Sequence, residues 1–151
     1  MADFGKNYDK VFVALDGTEA QAAVFDRALE VALRNQAKLY LGQVVDMSKY
    51  DLASTYDADL VSQVISYAEN ELSKYADKAR EAGLEQVEVM VKYGVVRQTI
   101  VEELIEPIDP DLVVCGDRGL NRVQYVLVGS VSNYIVHRAK CDVLVVKDRD
   151  K

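Results

Sequence analysis

The chain has no tryptophan, a single histidine, and only two prolines and two cysteines in 151 residues. Each scarcity excludes something. Cys115 and Cys141 are too few for the disulfide framework of a small secreted scaffold, and each sits beside a strand-like apolar run, where a cysteine behaves as a small buried hydrophobe. They lack metal-ligand spacing, and His137 stands apart from any group of ligands, so no transition-metal site is expected. Long apolar runs are also missing: they extend only a few residues, as in 112–115 and 143–146, far short of the ~20 that span a bilayer. No membrane segment is expected. The opening Met1-Ala2-Asp3-Phe4-Gly5-Lys6 lacks the basic and then apolar pattern of a secretory signal, which points to the cytoplasm.

Positive charge is short as well. Eighteen Lys and Arg against 25 Asp and Glu leave a net charge of -7, with a sequence pI near 4.7, and such a surface repels a phosphate backbone. Only Arg118 and Arg122 hint at a basic patch, and two arginines suit a small phosphorylated ligand better than a duplex, which needs several phosphate contacts. Nucleic acid is set aside as a partner. What remains is the composition of a soluble globular protein, 50% apolar and 28% charged, long enough to bury roughly two-thirds of its unfolded surface in one domain spanning residues 1–151.

Apolar runs alternate with helix-period segments along that domain. Residues 11–15 are a continuous β-rich run stopped by Asp16-Gly17, hence a buried strand. Thr18 and Gln21 have capping-box spacing before Ala22, Phe25, Leu29 and Ala32, which predicts a helix packed on the sheet. Residues 38–45 give a second strand, and 46–56 a polar, tyrosine-bearing connection without obvious regular structure, a lid or an ordinary loop. A long helix follows over 58–82, with Leu60, Val64, Tyr67, Leu72, Tyr75 and Ala79 as its inner face and Gly83 as its end. Residues 87–91 alternate as a strand; 95–105 return to helical spacing until Pro107 and Pro110 break it. Residues 111–115 form a fourth strand, 131–138 a short helix and 142–147 a fifth strand. The order βαβαβαβαβ, with right-handed crossovers, predicts an α/β fold: a doubly wound, five-stranded parallel sheet with helices on both faces. Ligands bind such sheets at the strands' carboxyl ends, where strand order reverses.

The most informative stretch begins where the fourth strand ends: Gly116-Asp117-Arg118-Gly119, then nine residues, then Gly129-Ser130. Glycines let backbone amides approach a ligand closely, and Ser130 opens a helix whose dipole and free amides suit an anion, most simply a phosphate chain. On these grounds alone a second reading stays open, in which Gly116 and Gly119 make a turn and Ser130 is only an N-cap. Two other phosphate signatures are missing. No glycine is followed by lysine in P-loop spacing, and no Gly-x-Gly-x-x-Gly follows the first strand.

Gly-x2-Gly-x9-Gly-Ser resembles the nucleotide-binding motif of the ATP-binding universal stress proteins. The resemblance extends to Val13-Ala14-Leu15-Asp16-Gly17-Thr18-Glu19, to Gln43-Val44-Val45-Asp46 and to Cys141-Asp142-Val143-Leu144-Val145-Val146-Lys147, so it covers nearly the whole chain. It implies a Rossmann-like fold of the adenine nucleotide alpha-hydrolase-like kind and a site for ATP, or ADP or AMP, with Mg²⁺ as an optional companion. It places Ala14 and Asp16 beside the ligand and Val44 at the adenine edge through its backbone. Gly116 and Gly119 would wrap the ribose and first phosphates, and Gly129, Ser130, Val131 and Ser132 would donate to the phosphate tail. Arg118 is added here as a phosphate- or metal-facing neighbour, although it and Arg122 could equally be solvated charges, and Asp16 could simply cap its turn. Thr18, Arg118 and Asp142 depart from the family's commoner serine, histidine and proline. The resemblance also implies a homodimer through residues 143–146, whose strand would otherwise leave an open edge.

The function so implied is nucleotide-dependent stress signalling, read by a protein partner not identified by the sequence, with little or no hydrolysis. No general base is evident, and His137 fits the end of a helix better than a catalytic post. Two alternatives stand beside it. One is a slow ATP-cleaving or adenylyl-transferring enzyme with Asp16 as the metal-linked residue; the other is a dimer that works without nucleotide.

Overall fold

A computed structural model describes residues 8–49, 58–117 and 130–147. Five parallel strands run β1 (Lys10–Leu15), β2 (Lys38–Asp46), β3 (Val87–Gly94), β4 (Leu112–Gly116) and β5 (Asp142–Val146), ordered β3-β2-β1-β4-β5 across the sheet. The central strands carry continuous apolar runs because both their faces are covered. Val11, Phe12 and Val13 of β1 and Val113 and Val114 of β4 are fully buried.

The helices explain that burial. Helices α1 (Gln21–Asn35) and α2 (Ala58–Glu81) cover one face, where Phe25, Ala28, Leu72, Ala76 and Ala79 meet Val11, Val13, Leu39, Leu41 and Val114. The other face is covered by a helical segment following β3 and by α5 (Ser130–Arg138), whose Ile100, Leu104 and Ile135 meet Phe12, Val113 and Cys115. Because the chain turns outward to β2 and β3 on one side of β1 and to β4 and β5 on the other, the carboxyl ends of β1 and β4 diverge into two connections. That is the switch point of a doubly wound sheet.

Four local expectations change. Thr18 does not cap α1: its amide and hydroxyl both donate to Asp16 Oδ1, at 2.9 and 2.7 Å, closing a turn on the charged acceptor two residues back. Gln21 does reach back, but its Oε1 accepts from the Gly17 amide at 2.8 Å, with Gly17 at φ +81. Pro107 does not break its helix. The segment runs as α3 (Val96–Thr99), a π-turn stretch (Ile100–Ile105) and α4 (Glu106–Ile108), and the wider π turn just before Pro107 makes room for its ring and missing N–H. The segment ends instead at Asp109, at φ 54.

Tyr67 was expected on the inner face of α2 but is 67% exposed. Ala68, Leu72, Ala76 and Ala79 hold the buried stripe, and Tyr67 stands one residue, about 100° of helix, off it. The expected helix end is present, since Gly83 adopts φ +107 after α2. After β2, Met47–Lys49 forms one 3₁₀ turn; the remainder of the expected 46–56 connection, residues 50–56, lies outside the described residues.

Candidate functional site

The site grows from unequal strand lengths. Pairing of β1 with β2 stops at Leu15↔Gln43, whereas β2 continues beside β3 through Val44↔Lys92, Val45↔Tyr93 and Asp46↔Gly94. The backbone of β2 therefore has an open edge facing the space above β1. Successive residues of a strand turn their N–H and C=O to opposite neighbours, and the Lys38 amide donates to Asp9 O just before β1 while the Leu39 amide donates to Gln86 O just before β3. Even-numbered residues of β2 thus face β1. Val44 is one of them, and its carbonyl lies past the last paired residue of β1. The amide that a continued ladder would bring to it belongs to Gly17, and that amide is held by Gln21.

Around this open edge the structure gathers a cleft lined by Ala14, Leu15, Asp16, Val44, Val96, Ile100, Cys115, Gly116, Val131 and Ser132. Its enclosed volume is about 40 Å³, and the space beyond is open to solvent. Six of the residues singled out in the sequence meet here: Ala14 and Asp16 from the end of β1, Val44 from β2, Gly116 from the end of β4, and Val131 and Ser132 from the first turn of α5. Ser130 is the first residue of α5. Arg118, Gly119 and Gly129, and with them Arg122, lie outside the described residues.

The chemistry of the walls is divided. Val44, Val96, Ile100, Val131 and Cys115 form an apolar floor, suited to a flat ring system, and Asp16 and the opening turn of α5 stand at its polar end. Asp16 Oδ1 is committed to Thr18. Burial pushes the Cys115 thiol up to about 12, so this cysteine is an unreactive part of the floor. Among the described residues no group of three or more His, Cys, Asp or Glu is placed to hold a metal ion. His137 is exposed in the last turn of α5 and does not line the cleft.

Sequence reasoning missed Val96, Ile100 and Cys115 as lining residues and missed what Gln21 does. The first three look like ordinary core positions, and only the sheet's strand order brings them to the switch point. For Gln21 the signal was present, since the expectation already had it reaching backward; the acceptor-seeking amide was misassigned.

A parallel five-stranded α/β sheet with a cleft at its switch point is the Rossmann-like architecture of the adenine nucleotide alpha-hydrolase-like proteins, and solved structures share it. The particular family follows from the sequence: residues 7–147 match the model of the universal stress protein family, and the chain belongs to that family. It is 38% identical over 143 residues to a putative universal stress protein of Staphylococcus aureus, covering 95% of this chain and 86% of the relative. Among solved structures it is similar to the universal stress protein UspA of Lactobacillus plantarum, with TM-score 0.82 and 28% identity over 94% of this chain and 99% of the other. It is also similar to a universal stress protein crystallised in complex with cAMP, with TM-score 0.66 and 29% identity over 93% and 97% of the two chains. Among the described residues no helix is long and apolar enough to cross a membrane.

Proposed function

We propose that this chain is an ATP-binding universal stress protein, a module whose nucleotide state is read by another protein in the cytoplasm. The observation that carries the reading is the convergence of Ala14, Asp16, Val44, Gly116, Val131 and Ser132 on one cleft at the switch point, where an α/β sheet takes its ligands. The apolar floor accepts the adenine ring, and the Val44 carbonyl at the open edge of β2 accepts a hydrogen bond from the 6-amino group. The first turn of α5 and the glycines of the 116–130 motif receive the phosphates, as amides at a helix N-terminus do. A related structure in complex with cAMP supports an adenine nucleotide as the ligand class. Mg²⁺ would arrive on the phosphates, with Asp16 as the carboxylate among the described lining residues, which hold no ligand cluster of their own.

Binding rather than turnover is the reading favoured. Among the described residues that line the cleft there is no histidine, and Asp16 is the one carboxylate. The protein is further proposed to act as a homodimer through β5, whose Val143, Leu144, Val145 and Val146 are all partly exposed along the sheet's last strand.

The test is to purify the protein natively, denature it and identify released nucleotide by chromatography and mass spectrometry. Isothermal titration with ATP and Mg²⁺ follows, with Gly129→Ala/Ser130→Ala as control. Near-stoichiometric adenine nucleotide in the wild type and its loss in the control are expected. A protein that carries none and ignores added ATP overturns the reading and leaves a nucleotide-independent dimer. Turnover abolished by Asp16→Ala would instead establish the enzyme.

A further inference from the structure

We propose that Gln21 is a positioning residue for purine selectivity: by holding the Gly17 amide it keeps the Val44 carbonyl unpaired, so that the cleft selects a purine with a 6-amino group over one with a 6-oxo group. The inference rests on the nucleotide reading above and deepens it.

Three observations carry it. Gln21 is only 8% exposed although it opens a surface helix, and its Oε1 accepts from the Gly17 amide at 2.8 Å. In a continued β1–β2 ladder that amide would go to the Val44 carbonyl, because the register ends at Leu15↔Gln43 and even-numbered residues of β2 face β1. Gly17 also lies beside β2: its turn, at φ +81, would bring a Cβ built on it to 3.2 Å from the side-chain Nε2 of Gln43.

A partly buried amide without an acceptor is costly, so in the absence of the Gln21 side-chain oxygen the Gly17 amide takes the acceptor that the register supplies. The Val44 carbonyl is then closed. With Gln21 in place the carbonyl remains a pure acceptor at the cleft, matched by a 6-amino donor and opposed by a 6-oxo group, which brings a second acceptor to the same point. A site that holds out an acceptor discriminates between such analogues because the wrong one leaves it unpaired.

The test compares ATP with inosine triphosphate by isothermal titration on the wild type, Gln21→Met and Gln21→Glu. The wild type is expected to prefer ATP by about tenfold or more, as one hydrogen bond gained or one repulsion incurred implies. Gln21→Met, similar in length but without the acceptor, should bring the ratio to within about threefold of unity, and Gln21→Glu, which keeps an acceptor oxygen, should restore the preference. An equal loss of both nucleotides in Gln21→Met, leaving the ratio unchanged, means a merely structural role and overturns the proposal. Amide hydrogen exchange of Gly17 in the nucleotide-free wild type reads the bond itself, whether or not Gln21→Met folds: protection is expected, and exchange at the rate of a free amide overturns the proposal. A wild type that binds ATP and inosine triphosphate equally removes the role of Gln21 alone. A wild type that binds neither removes the nucleotide reading, and the selectivity with it.

Discussion

Helix α5 brings Val131 and Ser132 to the cleft, yet it is short, and Ile135 is its one fully buried apolar side chain, with Val131 and Tyr134 packed partly buried beside it. Of its residues 131–138, Ile135, at 0% exposure, and Ser132, at 2%, are the buried ones, and Ile135 packs into the cluster of Phe12, Ile100, Leu104, Val113 and Cys115. Ile135→Ala removes that anchor and costs about 2–5 kcal/mol, as large-to-small changes in a packed core do. Leu39→Ala is the matched control. Leu39 is equally buried, but on the opposite face and near the amino end of β2, in the cluster formed by α1 and α2.

Both variants should therefore lose similar stability, a fall in Tm of about 5–15 °C for a domain of this size. Their effects on the ligand should differ. If about 1.4 kcal/mol of the Ile135→Ala loss is spent locally on undocking α5, the binding-competent fraction drops about tenfold and the apparent affinity for ATP with it. Leu39→Ala should stay within about twofold of the wild type while the protein remains folded. The assay is isothermal titration at 15 °C beside urea unfolding of each variant. Full destabilisation of Ile135→Ala with unchanged affinity, or equal affinity losses in the two variants, would refute the argument that α5 docking controls the site.

Further outcomes follow from other residues. Alkylation of the native protein near pH 8 should spare Cys115, whose thiol burial holds at about 12, and label Cys141 slowly, since burial first and then the Asp142 charge raise its thiol as well; denaturation should expose both to rapid labelling. Because the raised thiol favours the neutral folded form, the contribution of Cys115 to stability is present below the unfolded thiol's ordinary range and is lost as pH climbs from about 9 towards 12, which Cys115→Ala should abolish in a urea titration series. Gly42→Ala should destabilise by about 1–3 kcal/mol, because a Cβ there collides with the Phe12 ring and meets Leu104 Cδ1 at 3.4 Å; combining it with Phe12→Leu should recover part of the loss in thermal unfolding. Val145→Pro should separate the proposed dimer without unfolding the chain: the Asp117 amide donates to Val146 O, so even-numbered residues of β5 face β4 and the Val145 N–H faces the open edge. Sedimentation velocity would detect monomers, and a dimer that survives the proline places the interface elsewhere.

Much of this architecture was legible in the chain because continuous runs such as residues 11–15 and 111–115 have few readings other than strands covered on both sides. The ends of elements were less legible. Thr18 carries the right atom at the right spacing for a cap, but the Asp16 carboxylate two residues earlier competes for the same hydroxyl and amide and wins through charge. Tyr67 has the right period to be buried and the wrong phase: Ala68, Leu72, Ala76 and Ala79 hold the stripe that meets the sheet, and Tyr67 is turned about 100° away from it. Pro107 signals a break only if the turn before it is an α turn, and a π turn is not written in any single residue.

The same reasoning explains why the glycine motif was visible while the purine edge was not. Glycines and a serine at fixed spacing are a local property of the chain, so their resemblance to a nucleotide motif can be read directly from residues 116–130. An unpaired carbonyl is a property of two strands that end at different heights, and neither strand records the other's length. Val44 becomes an open acceptor only because β1 stops three pairs before β2 does, and it stays open only because a glutamine in the next helix satisfies the amide that would otherwise close it. A family site can in this way keep its visible motif while its selectivity is set by a residue outside that motif, and Gln21 is where this chain's base preference should be altered first.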